Sequence, residues 1–219
     1  MHPDDKWFYS HFRSVVGAVL LILNPLPMKT LSYLLRAPEI TTTLHSLHSL
    51  LLIPKSDTDP IRVFHKSFPD FLTDPERCRD ERFFINPSAH HQEILLSCLN
   101  LMKERLKRNI CDLDDHAILS KVKDLPACHR AHIGDALEYA CQFWTRHLAE
   151  IPNGHNIGGV HEAINEFFTT QLLYWIEVLS LTGNLGASVY AISDVHKWYS
   201  LVSCRVLTGT YIYISCLDR

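Results

Sequence analysis

The chain has 219 residues, 47% of them hydrophobic and 21% charged, which excludes wholesale disorder and leaves room for one ordinary domain or two small ones. Its 8 glycines fall short of the roughly 15 that ordinary usage would give, which favours long helices over an all-β sandwich or barrel. A net charge of −3 leaves no basic excess to neutralise a nucleic-acid backbone.

Taken in chain order, Met1-His2-Pro3-Asp4-Asp5-Lys6 is polar and acidic, unlike the basic start of a secretory signal. Seven widely spaced cysteines follow, with no C-x-x-C pair, and they predict reduced thiols in a cytoplasmic protein. Phe12, Val15, Val16, Val19, Leu20 and Leu23 make one helical face, which Asn24-Pro25 ends. The uncharged run Val15–Leu23 is nine residues, about half of a bilayer span. It reads as a buried helix, and no membrane partner is expected.

A second helix is predicted from Pro27 to Leu35 and a third from Pro38 to Ser49, which Leu44, Leu47, Leu50 and Leu51 continue into Leu51-Leu52-Ile53. Leu51-Leu52-Ile53 leads into a turn at residues 54–60, and Ile61-Arg62-Val63-Phe64-His65 reads as the returning strand. A short amphipathic segment, Phe68–Leu72, comes next. Three helices, a small two-stranded wing and a following helix describe a winged helix over residues 1–75.

Residues 76–202 are more plainly helical. Asn86-Pro87-Ser88 places a capping side chain before a proline at the first helical position. Ile94, Leu95, Cys98, Leu99, Met102 and Leu106 then form one face, while His90-His91 in the first turn are expected to be exposed. An irregular stretch, Cys111–Pro126, precedes a helix carrying Ile133, Leu137, Ala140, Cys141, Trp144 and Leu148. Val160, Ile164, Phe167, Leu172, Trp175 and Leu179 read as another helix ending at Gly183, and Leu185 to Tyr199 as a last one. The fold class is therefore mainly α, a winged-helix domain followed by an antiparallel helical arm of the solenoid kind. From Ser203 the chain loses helical period and becomes β-branched and aromatic. Residues 203–219 read as an atypical tail, either a strand without an obvious partner or read-through sequence with no buried partner.

Fourteen histidines require metal and catalytic readings to be tested. His161-Glu162-Ala163-Ile164-Asn165 begins like a zinc-protease motif but has Asn where the second imidazole belongs. Cys128 and His132 are spaced four apart on an expected helix, without a second fitting pair. The acidic Asp112-Leu113-Asp114-Asp115 lacks the Gly and Glu of a calcium loop, with Ala117 and Lys123 at those positions. Histidines on solvated helix faces are the better reading, and no metal site is assigned. There is no G-x-S-x-G elbow, and Gly183-Asn184-Leu185-Gly186 reads as a helix stop. No G-x-x-x-x-G-K-[ST] loop occurs, so neither a catalytic constellation nor a nucleotide cofactor is assigned to this chain itself. A metal-dependent hydrolase using the histidines is kept as an alternative. So is a winged-helix DNA-binding protein, although the third helix has no Lys or Arg. Residues 1–75 also balance seven basic against seven acidic side chains.

The most distinctive string is Ile61-Arg62-Val63-Phe64-His65-Lys66-Ser67-Phe68-Pro69-Asp70-Phe71-Leu72. Together with Val16 to Leu26, Leu47-His48-Ser49-Leu50-Leu51, Arg82-Phe83-Phe84-Ile85 and Leu137-Glu138-Tyr139-Ala140-Cys141-x-x-Trp144-x-x-His147-Leu148, it resembles fungal NACHT-type STAND proteins. These are NLR-like receptors with a nucleotide-binding NACHT domain, a winged helix, a helical arm and often a C-terminal WD-repeat propeller. The resemblance covers roughly residues 8–200 and places the chain directly after the NTPase core. It implies a non-enzymatic regulatory fragment whose partners in a full-length relative are the NACHT domain and the propeller. It also implies that His65 there faces the β-phosphate of bound ADP, as an imidazole N–H can; the other reading is that His65 caps the following helix. ADP or ATP would then be the cofactor of the full-length relative.

Overall fold

The computed structural model describes residues 6–37, 40–56, 58–114, 125–152 and 158–209. It is mainly helical with one small antiparallel sheet. The order is α1 (Lys6–Leu21), α2 (Met28–Leu35), α3 (Ile40–His45), β1 (Leu51–Leu52), β2 (Arg62–Val63), α4 (Ser67–Leu72) and α5 (Pro87–Arg105). Then come α6 (Leu125–Cys128), a π-helical turn (His129–Ile133), α7 (Gly134–Ala149), α8 (Val160–Thr170), α9 (Leu172–Leu181) and α10 (Gly186–Gly209).

The helix α5 organises the rest. Asn86 Oδ1 accepts the Ala89 N–H at 3.2 Å, capping the helix as the sequence predicts. Ile94, Leu95, Cys98, Leu99, Leu101 and Met102 are all buried. Leu101 lies off the face expected from the sequence, so α5 is covered on more than one side. It packs most extensively on α7 and also meets α1, α2 and α8. One continuous core therefore draws on both halves of the chain, from Val15, Leu31 and Leu44 to Trp144, Trp175 and Trp198. Helices of a solenoid would touch only their neighbours in sequence. Here α5 is the hub of a bundle that includes α1 and α2.

The helix α1 faces two ways. Val15, Ala18 and Val19 join the main core, whereas Phe12 and Val16 enter a smaller cluster with Leu72, Cys78 and Ile85. The segment before α5 wraps onto this second side. Arg13 donates to the carbonyls of Glu81 and Arg82 at 3.3 and 3.0 Å, and Phe83 stands edge-on to Tyr9 and Phe12. Asp80 and Arg82 form a two-pronged pair, whose hydrogen bonds hold the Asp80 carboxyl below its ordinary range.

The small sheet forms where the sequence predicts, with Leu51 opposite Val63 and Leu52 opposite Arg62. It is extended by Ile61 N–H donating to Leu26 at 3.0 Å and Phe64 N–H donating to Leu50 at 3.1 Å. The turn after α1 is thus stitched to the loop end of the hairpin.

Four expectations are corrected. The helix α3 ends at His45 rather than Ser49; Leu50 is 40% exposed and belongs to the turn that feeds β1. The helix expected through Leu179 is divided at Gln171. Thr169 and Thr170 donate to the carbonyls of Asn165 and Glu166, and such back-bonding bends a helix. Cys128 and His132 do not share one α-helical face, because the π-turn intervenes and Gly134 N–H closes it onto His129. Finally, the backbone of α10 remains helical to Gly209, past the expected end at Val202. Each further residue of an established helix adds a hydrogen bond, which overrides the weak β preference of Val206 and Thr208. The remaining residues of the expected tail, 210–219, lie outside the described residues.

The stop at Gly183 is present as expected. Gly183 has φ 74°, and Asn184 N–H donates back to Leu179 at 2.7 Å. The glycine at position 17 serves a different purpose. A Cβ there would lie 2.9 Å from three atoms of the buried His90 ring. Gly17→Ala should therefore lower stability by about 1 kcal/mol, since overpacking costs about 1–3 kcal/mol against a helix-preference gain of about 0.5–1. In a His90→Ala background the same change should stabilise. Urea unfolding of the four chains measures both effects, and equal effects in the two backgrounds would refute the contact.

Candidate functional site

The junction between β2 and α4 carries the residue that the sequence singles out. The ladder ends with the Phe64 N–H bond to Leu50, and the chain turns through Lys66, which has helical angles of −56° and −28°. Lys66 offers no side-chain cap. His65 does this from one position earlier: its Nδ1 accepts the Ser67 N–H at 3.1 Å and lies 2.8 Å from Ser67 Oγ. An imidazole nitrogen that accepts a backbone N–H carries no proton, so the neutral ring is protonated on Nε2. His65 and Lys66 are exposed, and the preceding Phe64 is 58% exposed. The junction therefore presents an N–H donor on a ring whose other nitrogen is anchored, beside an ammonium and an uncovered aromatic ring. That combination suits a polyanionic oxygen such as phosphate.

The other histidines have different fates. His161 packs against Trp198 and Tyr199, and the Tyr199 hydroxyl donates to Asn165 Oδ1 at 3.2 Å. The residues that imitate a zinc motif thus dock α10 onto α8. His129 Nε2 lies 3.0 Å from Glu138 Oε2, whereas the carbonyl of His132 accepts from Arg105. Among the described residues, no group of three or more His, Cys, Asp or Glu is arranged to hold a metal ion. Cys78, Cys98, Cys111, Cys128 and Cys141 are free thiols, and burial pushes Cys111 up to about 12.

His90 and His91 are each 7% exposed, so the expectation of exposure is corrected. The neighbours decide this. Gly17 of α1 leaves a recess for the His90 ring, while His91 Nδ1 meets His147 Nδ1 of α7 at 2.8 Å. The sequence signal for this buried pair lies in α7, where His147 falls three residues after Trp144 on the apolar stripe.

The acidic segment at 112–114 follows a turn with left-handed Asn109 (φ 52°) and Asp112 (φ 48°). Glu177 of α9 accepts the Asn109 and Ile110 N–H groups at 3.1 and 2.9 Å. The backbone donors of the turn are thereby filled by the protein's own carboxylate.

No family model matches the chain, and no solved structure matches it. One curated relative is the vegetative incompatibility protein HET-E-1 of Podospora anserina, 30% identical over 218 residues. The alignment takes in 90% of this chain and 16% of that protein. The likeness is spread along nearly the whole chain, as are the blocks quoted above. The chain spans only a small part of the relative's length. No helix among the described residues is long and apolar enough to cross a membrane.

The state of His65 can be checked directly. Long-range nitrogen–proton spectra of the neutral ring should place the proton on Nε2, and Ser67→Ala should leave it there because the backbone N–H remains. Stability should change by less than about 0.5 kcal/mol, as at other exposed positions. A proton on Nδ1 would contradict the capping geometry.

Proposed function

We propose that the chain is a non-catalytic regulatory part of an NLR-like signal-transduction NTPase. In this reading, residues 1–75 act as a winged helix and residues 76–202 as the helical region behind it. Together they couple the nucleotide state of an adjoining NACHT domain to sensing and oligomerisation. The carrying observation is the likeness to HET-E-1 across 90% of the chain. A NACHT NTPase domain and a WD-repeat propeller are the partners in a full-length cytoplasmic relative.

The residue proposed to sense nucleotide is His65. Its anchored Nδ1 leaves Nε2–H as a donor, so the chemistry fits an ADP phosphate supplied with the adjoining domain. The packing supports a coupling role. The helix α1 contributes to both hydrophobic clusters, and the strand that leads to His65 is bonded at its start, Ile61, to the turn after α1. A displacement at the His65 junction would therefore bear on the helix that packs against α5.

The isolated chain should bind neither ATP nor ADP measurably by calorimetry; micromolar binding would reject the division of labour. Joined to the NACHT domain of a full-length relative, His65→Ala should speed ADP release roughly ten- to a hundredfold. That range corresponds to one hydrogen bond to a charged group, about 1.5–3 kcal/mol. Unchanged ADP release would reduce His65 to a helix cap.

A further inference from the structure

A buried polar chain crosses the bundle at the level where α5, α7 and the turn after α1 meet. The Leu23 N–H donates to Tyr139 Oη at 3.1 Å. Tyr139 Oη lies 2.7 Å from His147 Nε2, and His147 Nδ1 lies 2.8 Å from His91 Nδ1. Tyr139 is 2% exposed, His147 0% and His91 7%. The two histidines come from helices that form the most extensive packing in the molecule.

The proton positions follow from satisfying each group. Tyr139 already accepts from Leu23, and its buried O–H donates to His147 Nε2. His147 in its neutral form then carries its proton on Nδ1 and donates to His91 Nδ1. The proton of neutral His91 lies on Nε2. Every link is filled with both rings neutral.

An added proton has no neutral-state position to occupy without breaking a link. On His147 it must go to Nε2, where it meets the Tyr139 hydroxyl and strands that hydroxyl's hydrogen. On His91 it must go to Nδ1, where it faces the N–H of His147. We propose that His91, His147 and Tyr139 form a proton-operated latch that holds the turn after α1 against α5 and α7, closed while both imidazoles are neutral and opened by acid.

The surrounding charges are mixed. On α5, His90 disfavours a charge on His91, and His90 is itself 3.2 Å from Glu93. At the end of α7, Glu150 favours a charged His91, whereas Arg146 disfavours one on His147. Cys98 of α5 and Arg146 are the ionisable neighbours of Tyr139. α1 presents Gly17 to His90. Burial outweighs these influences, lowering His91 and bringing His147 down to about 3. Because the folded values lie below the unfolded ones, the latch's stability is fully present above the ordinary histidine range and is lost progressively as pH falls from that range toward the lowered folded values.

The experiment compares urea unfolding of the full chain and of His147→Phe at pH 7.5 and 5.5. One histidine that stays neutral only in the folded state makes unfolding about tenfold more favourable one pH unit below its unfolded value of about 6.5. The wild type should therefore lose at least about tenfold more stability on acidification than the variant. In the wild type alone, exchange protection of the Leu23 amide, corrected for intrinsic rate, should fall more than that of α5 amides between the two pH values. Imidazole resonances of His147 should remain neutral at pH 5.5. Equal pH responses in both chains, unchanged Leu23 protection, or titration of His147 in the ordinary histidine range would overturn the latch.

Discussion

The molecule is built around the need to cover one helix on several sides. The apolar residues of α5 are not confined to a single stripe: Ile94, Leu95, Cys98, Leu101 and Met102 are all withdrawn from water. Burying a side chain of this size stabilises by about 1.5–3 kcal/mol, so a helix of this kind cannot remain at the edge of a fold. α1, α2, α7 and α8 gather around it, and the remaining elements take their places from those contacts. The two halves of the chain share a core because α5, early in the second half, needs α1 and α2 from the first.

Several of the polar groups caught inside this arrangement are held by specific partners, whereas Trp144 Nε1 and Trp198 Nε1 are buried without one. Placing α7 along α5 brings His147 onto His91, and placing α1 along α5 sets Gly17 over His90. Trp144 and Trp175 then pack with Phe167 at ring separations of 4.7–6.1 Å, and the Trp175 N–H donates to the Cys141 carbonyl. Glu177 performs the same service for the turn after α5 by accepting two backbone donors. A buried polar group without a partner costs about 1–3 kcal/mol, which gives these pairings their leverage over the packing.

The His65 junction stands apart from that interior and depends on it only for placement. Its hairpin is held by the turn after α1, while the ring itself remains in solvent. A rigid base beneath an exposed donor is a suitable arrangement for reporting on a neighbouring domain. The buried histidine chain reaches the same turn from its other side, through Leu23. Both proposed devices therefore act on the segment joining α1 to α2.

Much of the secondary structure was legible in local chemistry. Asn24-Pro25 closes the first helical segment, Asn86-Pro87 opens α5, Gly183 stops α9, and the turn-rich residues 54–60 separate the two strands. The strand followed at once by a short helix also fixed the junction, whereas His65 itself was singled out by the family resemblance. The break at Gln171 was hidden, because apolar spacing continues through it while the threonine hydroxyls divert two carbonyls. The buried state of His90 and His91 was hidden more deeply. In a helix's first turn, two imidazoles look the same to a local reading whether water or another helix lies beyond them. By itself the sequence determined the helical class, most of the helix ends and the hairpin, all set by residues within a turn or two. Only the tertiary structure decided that α5 lies at the centre and that its histidines are enclosed, because burial depends on partners 56 to more than 70 positions away along the chain.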